Sequence, residues 1–293
     1  MKATILFAVF LFLSPLIYAQ DAGALEIRHY FSDGDTLVLS DGGHIRSTPS
    51  RNGKSIDELP VGKTLYINGE VEYGGIGEYV IRTLQAGYYP VRYEKDGQWK
   101  SGYVWGGLIA QAYSYDKSGN GYIFGKRSFD GDTDVLTVAV IRIDGMTKKI
   151  HEQLFSYPFG YQSSYESKVL SNMGLSQLEQ IFRVGFLGEA CGIYTTYHYY
   201  GWNGKQFIEL PPKKSVGDAG VYYYYSENML FPTEHKIGKD LIIIESTSSA
   251  IDYVGYAEIK GEAFEKEEIT KETKVYLWDG KSARLLEPIE VEY

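Results

Sequence analysis

A cysteine and a histidine seven positions apart could by type form a nucleophile and its general base. They are Cys191 and His198, in a region of aromatic, strand-like sequence. Nucleophilic catalysis requires the two side chains to meet in space and a third group to orient the base. Cys191 lies between two strand-like runs, so we predict no catalytic residue here. Because free cysteines are among the most buried residues, we expect Cys191 to be a small buried hydrophobe, with an intermolecular disulfide or a reactive thiol as alternatives.

Three carboxylates alternate just before another strand-like run and could bind calcium. Asp130, Asp132 and Asp134 supply the oxygen ligands that calcium prefers. The EF-hand positions for glycine and glutamate hold Val135 and Ile141, so we expect a solvated turn and keep calcium as the alternative. No metal and no cofactor is predicted. The histidines, which lack zinc-ligand spacing, are His29, His44, His151, His198 and His235.

Composition limits the classes of partner. The formal net charge is −9, from 29 basic and 38 acidic residues, which argues against a nucleic-acid binder. A single cysteine excludes an intrachain disulfide framework. The sequence contains no Gly-x-Ser-x-Gly, P-loop or His-Glu-x-x-His motif. A binding or scaffolding role is therefore favoured over catalysis.

The first 19 residues have the pattern of a signal peptide. Lys2 precedes an apolar run from Ala3 to Leu13, and Ala19 is a small residue at the expected cleavage site. The run is too short for a comfortable transmembrane helix, which needs about 20 residues. We therefore predict residues 1–19 to be a signal peptide, with an uncleaved anchor as the alternative. The mature chain is expected in the bacterial periplasm or medium, with no membrane span after signal removal.

The rest of the sequence favours strands and turns. Aromatic residues make up 15% of the chain, and 33 glycines supply turn positions. Asp96-Gly97, Asn203-Gly204 and Asp279-Gly280 predict type I′ hairpin turns. Short helices are predicted only at Gly174–Ile181 and Phe264–Lys271. The strand-like runs include Thr36–Leu39, Thr64–Ile67, Tyr88–Tyr93, Gly102–Trp105, Val135–Ile143, Ile181–Leu187, Ile193–Trp202, Val221–Tyr225, Leu241–Glu245, Val254–Ile259 and Lys274–Trp278.

Four segments of the first half occur in the order found in a known family. They are Ile45–Ser50 (IRSTPS), Ile56–Leu65 (IDELPVGKTL), Tyr89–Tyr93 (YPVRY) and Gly102–Ala110 (GYVWGGLIA). Together they resemble a bacterial SH3-type (SH3b) domain over about a quarter of the chain. The resemblance implies a small β-barrel that recognises a cell-wall peptide or an envelope protein. The candidate groove residues that it implies are Tyr89, Tyr93, Trp99, Tyr103 and Trp105, and the alternative is that these rings fill the barrel core.

The second half is expected to form a larger antiparallel β domain. A polar, Gly-containing stretch at 112–121 suggests a boundary, giving an SH3-like domain at 20–112 and a second domain at 113–293. Two segments, Tyr200–Phe207 and Tyr276–Arg284, both read aromatic strand, Trp, Asn or Asp, Gly, Lys and a second strand. They weakly resemble propeller-like repeats. We predict an all-β protein whose second domain is a partial propeller or a sandwich.

These features favour a non-catalytic, exported binding or scaffolding protein. Its expected partner is a peptidoglycan peptide or an envelope protein. The alternative is a cell-wall peptide or glycan hydrolase with an SH3-type targeting domain. The aromatic stretch Tyr194–Trp202 is expected to pack within the sheet, with a carbohydrate- or peptide-binding face as the alternative.

Overall fold

The structure is a computed structural model that describes residues 23–145, 148–217, 223–253 and 265–286. The predicted signal peptide (1–19) and the predicted strand Val254–Ile259 lie outside these residues. The described residues form twenty strands in three sheets, a 3₁₀ turn at Gly106–Leu108 and a one-turn helix, α1, at Pro232–His235. The predicted all-β, antiparallel class is confirmed. Among the residues described, no helix has the length and hydrophobicity to cross a membrane.

The first sheet belongs to residues 25–105 and is centred on one long strand, β7. The ladder runs β2-β5-β7-β8-β3-β4, while β1 (parallel) and β6 also pair with β7. Side chains from all six strands of the ladder meet in one core, although the described ladder is an open path and not a closed barrel. The strands are β1 (Leu25–Glu26), β2 (Thr36–Val38), β3 (Gly43–Arg46), β4 (Ser55–Leu59), β5 (Thr64–Ile67), β6 (Ile76–Ile81), β7 (Leu84–Lys95) and β8 (Gln98–Trp105).

The second sheet has four strands in the order β12-β11-β10-β9. Its strand β10 contains a bulge at Arg127, because Lys126 pairs with Val138 and Ser128 with the adjacent Thr137. The strands are β9 (Ala112–Tyr115), β10 (Gly121–Asp130), β11 (Val135–Asp144) and β12 (Lys148–Pro158).

The third sheet is an eight-stranded antiparallel meander in which each strand pairs with the next. A continuous sheet of this width differs from the separate four-stranded blades of a propeller. Its first strands pack their aromatic side chains against the second sheet, as the two layers of a sandwich do. The strands are β13 (Ser164–Ser171), β14 (Gln180–Leu187), β15 (Thr195–Trp202), β16 (Phe207–Gly217), β17 (Tyr223–Leu230), β18 (Leu241–Tyr253), β19 (Glu265–Trp278) and β20 (Ala283–Leu285).

One hydrophobic core joins all three sheets. Tyr88 and Trp105 from the first sheet, Tyr122 from the second, and Phe182 and Tyr200 from the third belong to the same buried cluster. Burial of large aromatic rings is a major favourable term in folding. The two halves of the chain are therefore packed together, and a cleft remains where the three sheets meet.

Both short helices predicted from the sequence are wrong. Residues 174–179 form turns and β14 begins at Gln180. Gln177 has a positive φ of 61°, and the Trp278 indole donates to the Ser176 carbonyl, so tertiary contacts replace the helical pattern. Residues 265–271 belong to β19 and pair along their whole length with β18. A helix of only about seven residues would be marginally stable on its own, so strand pairing is favoured.

The three predicted type I′ turns have two outcomes. Asp96 and Gly97 both have positive φ, 54° and 73°, as a type I′ turn requires. The prediction is wrong for the other two turns. In each of them the glycine, Gly204 or Gly280, has a positive φ, but the residue before it does not. There the side chains of Asn203 and Asp279 each accept hydrogen bonds from backbone N–H groups two and three residues ahead. The two similar segments of the sequence thus share an Asx-type turn.

Candidate functional site

A cleft of about 690 Å³ opens where the N-terminal segment, β10 and the start of β13 approach one another. Its volume is in the range of ligand-binding sites, about 300–1,000 Å³. The cleft combines aromatic rings, three carboxylates and a buried lysine. The residues that line it include Glu26, Arg28, His29, Tyr30, Phe31, Tyr73, Lys126, Phe159, Tyr161, Ser163, Tyr165, Glu166 and Glu189.

Lys126 lies at a position of β10 where the alternation of the strand requires an inward-facing side chain. Tyr122 and Phe124 precede it on the same face and belong to the shared core. Lys126 is only 4% exposed, and its ammonium lies 4.8 Å from the centre of the Tyr165 ring. This ammonium forms no hydrogen bond or ion pair with another described residue. Burial lowers the pKa of Lys126 to about 8.

His29 also lines the cleft and is a neutral imidazole at pH 7. Burial lowers the pKa of His29 to about 4, and the charge of Lys126 adds to this effect. The His29 Nε2 lies 3.1 Å from the Gly106 carbonyl, so Nε2 carries the proton and Nδ1 is the acceptor. The ring stacks on Phe31 at 5.2 Å and meets the edge of Tyr89 at 5.7 Å. His29 is therefore held in place by its neighbours, and it gives the cleft a polar but uncharged side chain.

Exposed aromatic rings stand at the mouth of the cleft. Tyr30 and Tyr73 stack with their centroids 4.1 Å apart, although they are 78% and 50% exposed. The Arg28 guanidinium lies 5.0 Å from the centre of the Tyr73 ring. On another side, Tyr161 is 68% exposed and packs on Phe159 at 5.0 Å. Flat rings of this kind bind planar or apolar groups at little entropic cost.

The carboxylates of the cleft are already partnered. Glu26 pairs with Arg28 at 2.5 Å and Glu166 with Arg183 at 2.9 Å. Glu189 accepts a hydrogen bond from the Ser163 hydroxyl at 2.6 Å, which lowers the pKa of Glu189. Among the charged side chains described in this cleft, Lys126 thus differs in having neither an ion-pair partner nor a hydrogen-bond partner for its charged group.

The five aromatic residues implied by the SH3-type resemblance do not form a common exposed face. Tyr89 and Tyr93 are fully buried and Trp105 is 3% exposed, because their strands direct them into the cores of the molecule. These three rings therefore cannot stack on a ligand, which corrects their assignment as groove residues. Tyr103 is half-buried. Trp99 is 61% exposed, near the end of the β7–β8 hairpin.

Hydrogen bonds show what the buried rings do instead. The Tyr89 hydroxyl accepts from the His29 backbone N–H at 3.1 Å, so Tyr89 supports the wall of the cleft from behind. The Tyr93 hydroxyl donates to Asp57 at 2.9 Å, and Lys95 and Lys100 both pair with the same carboxylate. These contacts, with the Lys95 hydrogen bond foremost, lower the pKa of Asp57 to about 2. They are structural supports of the first sheet.

Cys191 and His198 occupy different environments. The expectation that Cys191 is buried is wrong: it is exposed, because a turn closed by the Ile193 N–H and the Ala190 carbonyl carries it at the tip of the β14–β15 hairpin. His198 is 8% exposed in β15, and its ring packs 4.2 Å from Tyr157. Such a placement gives no support to a thiol-based hydrolase.

The carboxylate run before β11 forms a turn stabilised by its own hydrogen bonds. Asp130 accepts from the Asp132 backbone N–H at 3.0 Å and from the Thr133 hydroxyl at 2.7 Å. Each oxygen of the Asp130 carboxylate thus accepts one hydrogen bond from within the turn. Within the described residues, no group of three or more His, Cys, Asp or Glu side chains could hold a metal ion.

Sequence reasoning did not identify the cleft or its lysine. The available signal was Tyr122-x-Phe124-x-Lys126, in which a lysine takes the third inward position of a strand. Comparison with known proteins finds no matching family model, no similar curated protein and no similar solved structure.

Proposed function

We propose that the chain is a non-catalytic binding protein of the bacterial cell envelope, and that its cleft receives a peptidoglycan peptide or a segment of an envelope protein. The observation that carries the proposal is the cleft of about 690 Å³ with stacked, exposed tyrosines at its mouth and an unpartnered lysine inside. Sites of this size with a few convergent polar groups are typical of ligand binding.

The proposed location rests on the signal-peptide pattern of residues 1–19. The test is expression of the full chain in a bacterium, followed by fractionation and N-terminal mass analysis. We expect a released chain that begins at Gln20. A charge in the apolar run, Val9→Asp, should block processing, whereas the conservative Val9→Leu should not. An unprocessed cytoplasmic wild-type chain would contradict the proposed location.

Binding is tested with the whole mature chain, because its two halves share a core. Purified peptidoglycan and solubilised envelope proteins are the two baits. Tyr73→Ala, at the mouth of the cleft, should weaken capture, whereas Tyr224→Ala should not. Tyr224 is a matched control, since both tyrosines are 50% exposed.

A third variant separates the cleft from the surface implied by the SH3-type resemblance. Trp99 packs near Tyr66 and Arg92, with its ring 5.7 Å and 5.6 Å away respectively. If Trp99→Ala loses capture and Tyr73→Ala does not, the binding site is on the surface around Trp99 and not in the cleft. Failure of the wild-type chain to retain either bait would overturn the proposed function.

A further inference from the structure

Arg127, the residue next to Lys126 in β10, is a buried cation that has protein partners. Arg127 is 9% exposed and donates to the Ser40 carbonyl at 2.7 Å and to Glu152 at 3.0 Å. The bulge in β10 separates Arg127 from Lys126 and directs the arginine toward those partners. Among the described residues, the polar contact of the Lys126 ammonium is with the face of the Tyr165 ring. Of these two adjacent cations, Arg127 has protein partners, whereas the Lys126 ammonium has none among the described residues and lines the open cleft.

An unpaired buried ammonium destabilises a fold. The interaction with Tyr165 offsets part of that cost, since a cation over an aromatic face gains about 0.5–2 kcal/mol. A leucine or methionine would fit the same alternation as Tyr122 and Phe124 without the cost. An anion that enters the cleft and contacts the Lys126 ammonium would remove this energetic cost.

The other charges of the cleft favour a singly charged anionic group over a doubly charged one. His29 is neutral at pH 7 and adds no positive charge. The charged side chains of the lining are three carboxylates, Glu26, Glu166 and Glu189, and two cations, Arg28 and Lys126, and this excess of negative charge disfavours a dianion such as a phosphate monoester. A carboxylate carries one charge and matches the single free ammonium.

We propose that Lys126 anchors a ligand through a carboxylate, in the manner of a peptide with a free C-terminus, while the body of the ligand lies against Tyr165 and the aromatic rings of the mouth. This inference rests on the proposed binding function and specifies its ligand class. It is tested separately, with a minimal probe that requires no knowledge of the natural partner.

The probe is N-acetylalanine, compared with N-acetylalanine amide, which has the same shape and no charge. NMR of the whole mature chain, with the lysine side chains labelled with ¹³C, follows the Lys126 resonance during each titration. We expect a saturable shift with the carboxylate and none with the amide. Lys126→Met should weaken binding of N-acetylalanine about tenfold or more, because a hydrogen bond between charged groups is lost.

Two controls keep the result interpretable. Lys205→Met removes an exposed lysine at a hairpin turn and should bind N-acetylalanine like the wild type. Lys126→Arg retains the charge and should retain part of the affinity. Equal binding of the carboxylate and the amide, or no saturable shift with N-acetylalanine, would overturn the carboxylate anchor. Retention of peptidoglycan or an envelope protein at the cleft, with no carboxylate preference, would leave the proposed function standing and refute only this inference.

Discussion

The Lys126 ammonium lies 4.8 Å from the centre of the Tyr165 ring, so the face of that ring is the contact that supports a buried charge. Tyr165 is in turn fixed by Phe124 and Phe186, whose ring centroids are 5.6 Å and 5.1 Å away. Lysine and tyrosine belong to different sheets, β10 and β13. Their contact therefore couples the charge in the cleft to the packing of the second sheet against the third.

Substitution of Tyr165 should separate the effect of its ring from that of its hydroxyl. Tyr165→Phe keeps an aromatic face and should leave the pKa of Lys126 close to its wild-type value. Tyr165→Leu removes the favourable contact of about 0.5–2 kcal/mol and should lower the pKa of Lys126 further. The Lys126 ¹³Cε chemical shift measured against pH reports both. Equal effects of the two variants would show that the ring face does not stabilise the ammonium.

Lys126→Met should increase the stability of the protein without ligand. The pKa of Lys126 falls from 10.5 to about 8 on folding, so the folded state disfavours the charged form. The destabilisation is complete below about pH 8 and disappears as the pH rises toward 10.5. At pH 7 we expect Lys126→Met to raise the free energy of unfolding by about 1–3 kcal/mol. Urea unfolding at pH 7 and pH 10 measures the gain, and a variant less stable than wild type at pH 7 would contradict it.

Asp57→Asn should destabilise the first sheet in a pH-dependent way. Lys95, Tyr93 and Lys100 hold the pKa of Asp57 at about 2, below its usual 3.8. The stabilisation is present above about pH 4 and is lost as the pH falls through 2. Urea unfolding should therefore show a larger loss for Asp57→Asn at pH 7 than at pH 3. Glu58→Gln changes the adjacent exposed carboxylate and should have little effect at either pH; similar losses in both variants would argue against a specific role for Asp57.

Cys191 should react with a maleimide reagent in the folded protein. It is exposed at the tip of a hairpin, so no unfolding is required for access. We expect one label per chain in native buffer, the same number as in urea, and no change in stability for Cys191→Ser. Mass spectrometry measures the labelling. Labelling that occurs only in urea would show that the thiol is protected in solution.

The strand-like runs of the sequence coincide with about half of the described strands, because the patterns of those strands are local. Thr64–Ile67 is confirmed residue for residue as β5, and Asp96-Gly97 forms the predicted turn. The failures occur where distant contacts decide. Gly174–Ile181 has a helical pattern, yet Trp278, about a hundred residues further on, binds its backbone and replaces the helix.

The cleft could not be predicted for the same reason. His29, Lys126 and Tyr165 belong to three different sheets or segments and meet only after those units pack. Periodicity places Lys126 on the inner face of its strand, but it does not show what lies opposite. The burial of Tyr89 and Tyr93 likewise follows from strand alternation, whereas the exposure of Trp99 follows from its position near the hairpin end.

The contrast between the first and third sheets bears on how the chain acquires its structure. In the third sheet every strand pairs with its neighbour in sequence, so each hairpin can form as soon as its second strand has been made. In the first sheet, Leu25 has no partner until Leu84 is present, and the β3–β4 pair joins the rest of the sheet only through β8. A chain that emerges from its N-terminus would thus carry unpaired strand edges through its first hundred residues, which makes this portion the one most dependent on protection from aggregation.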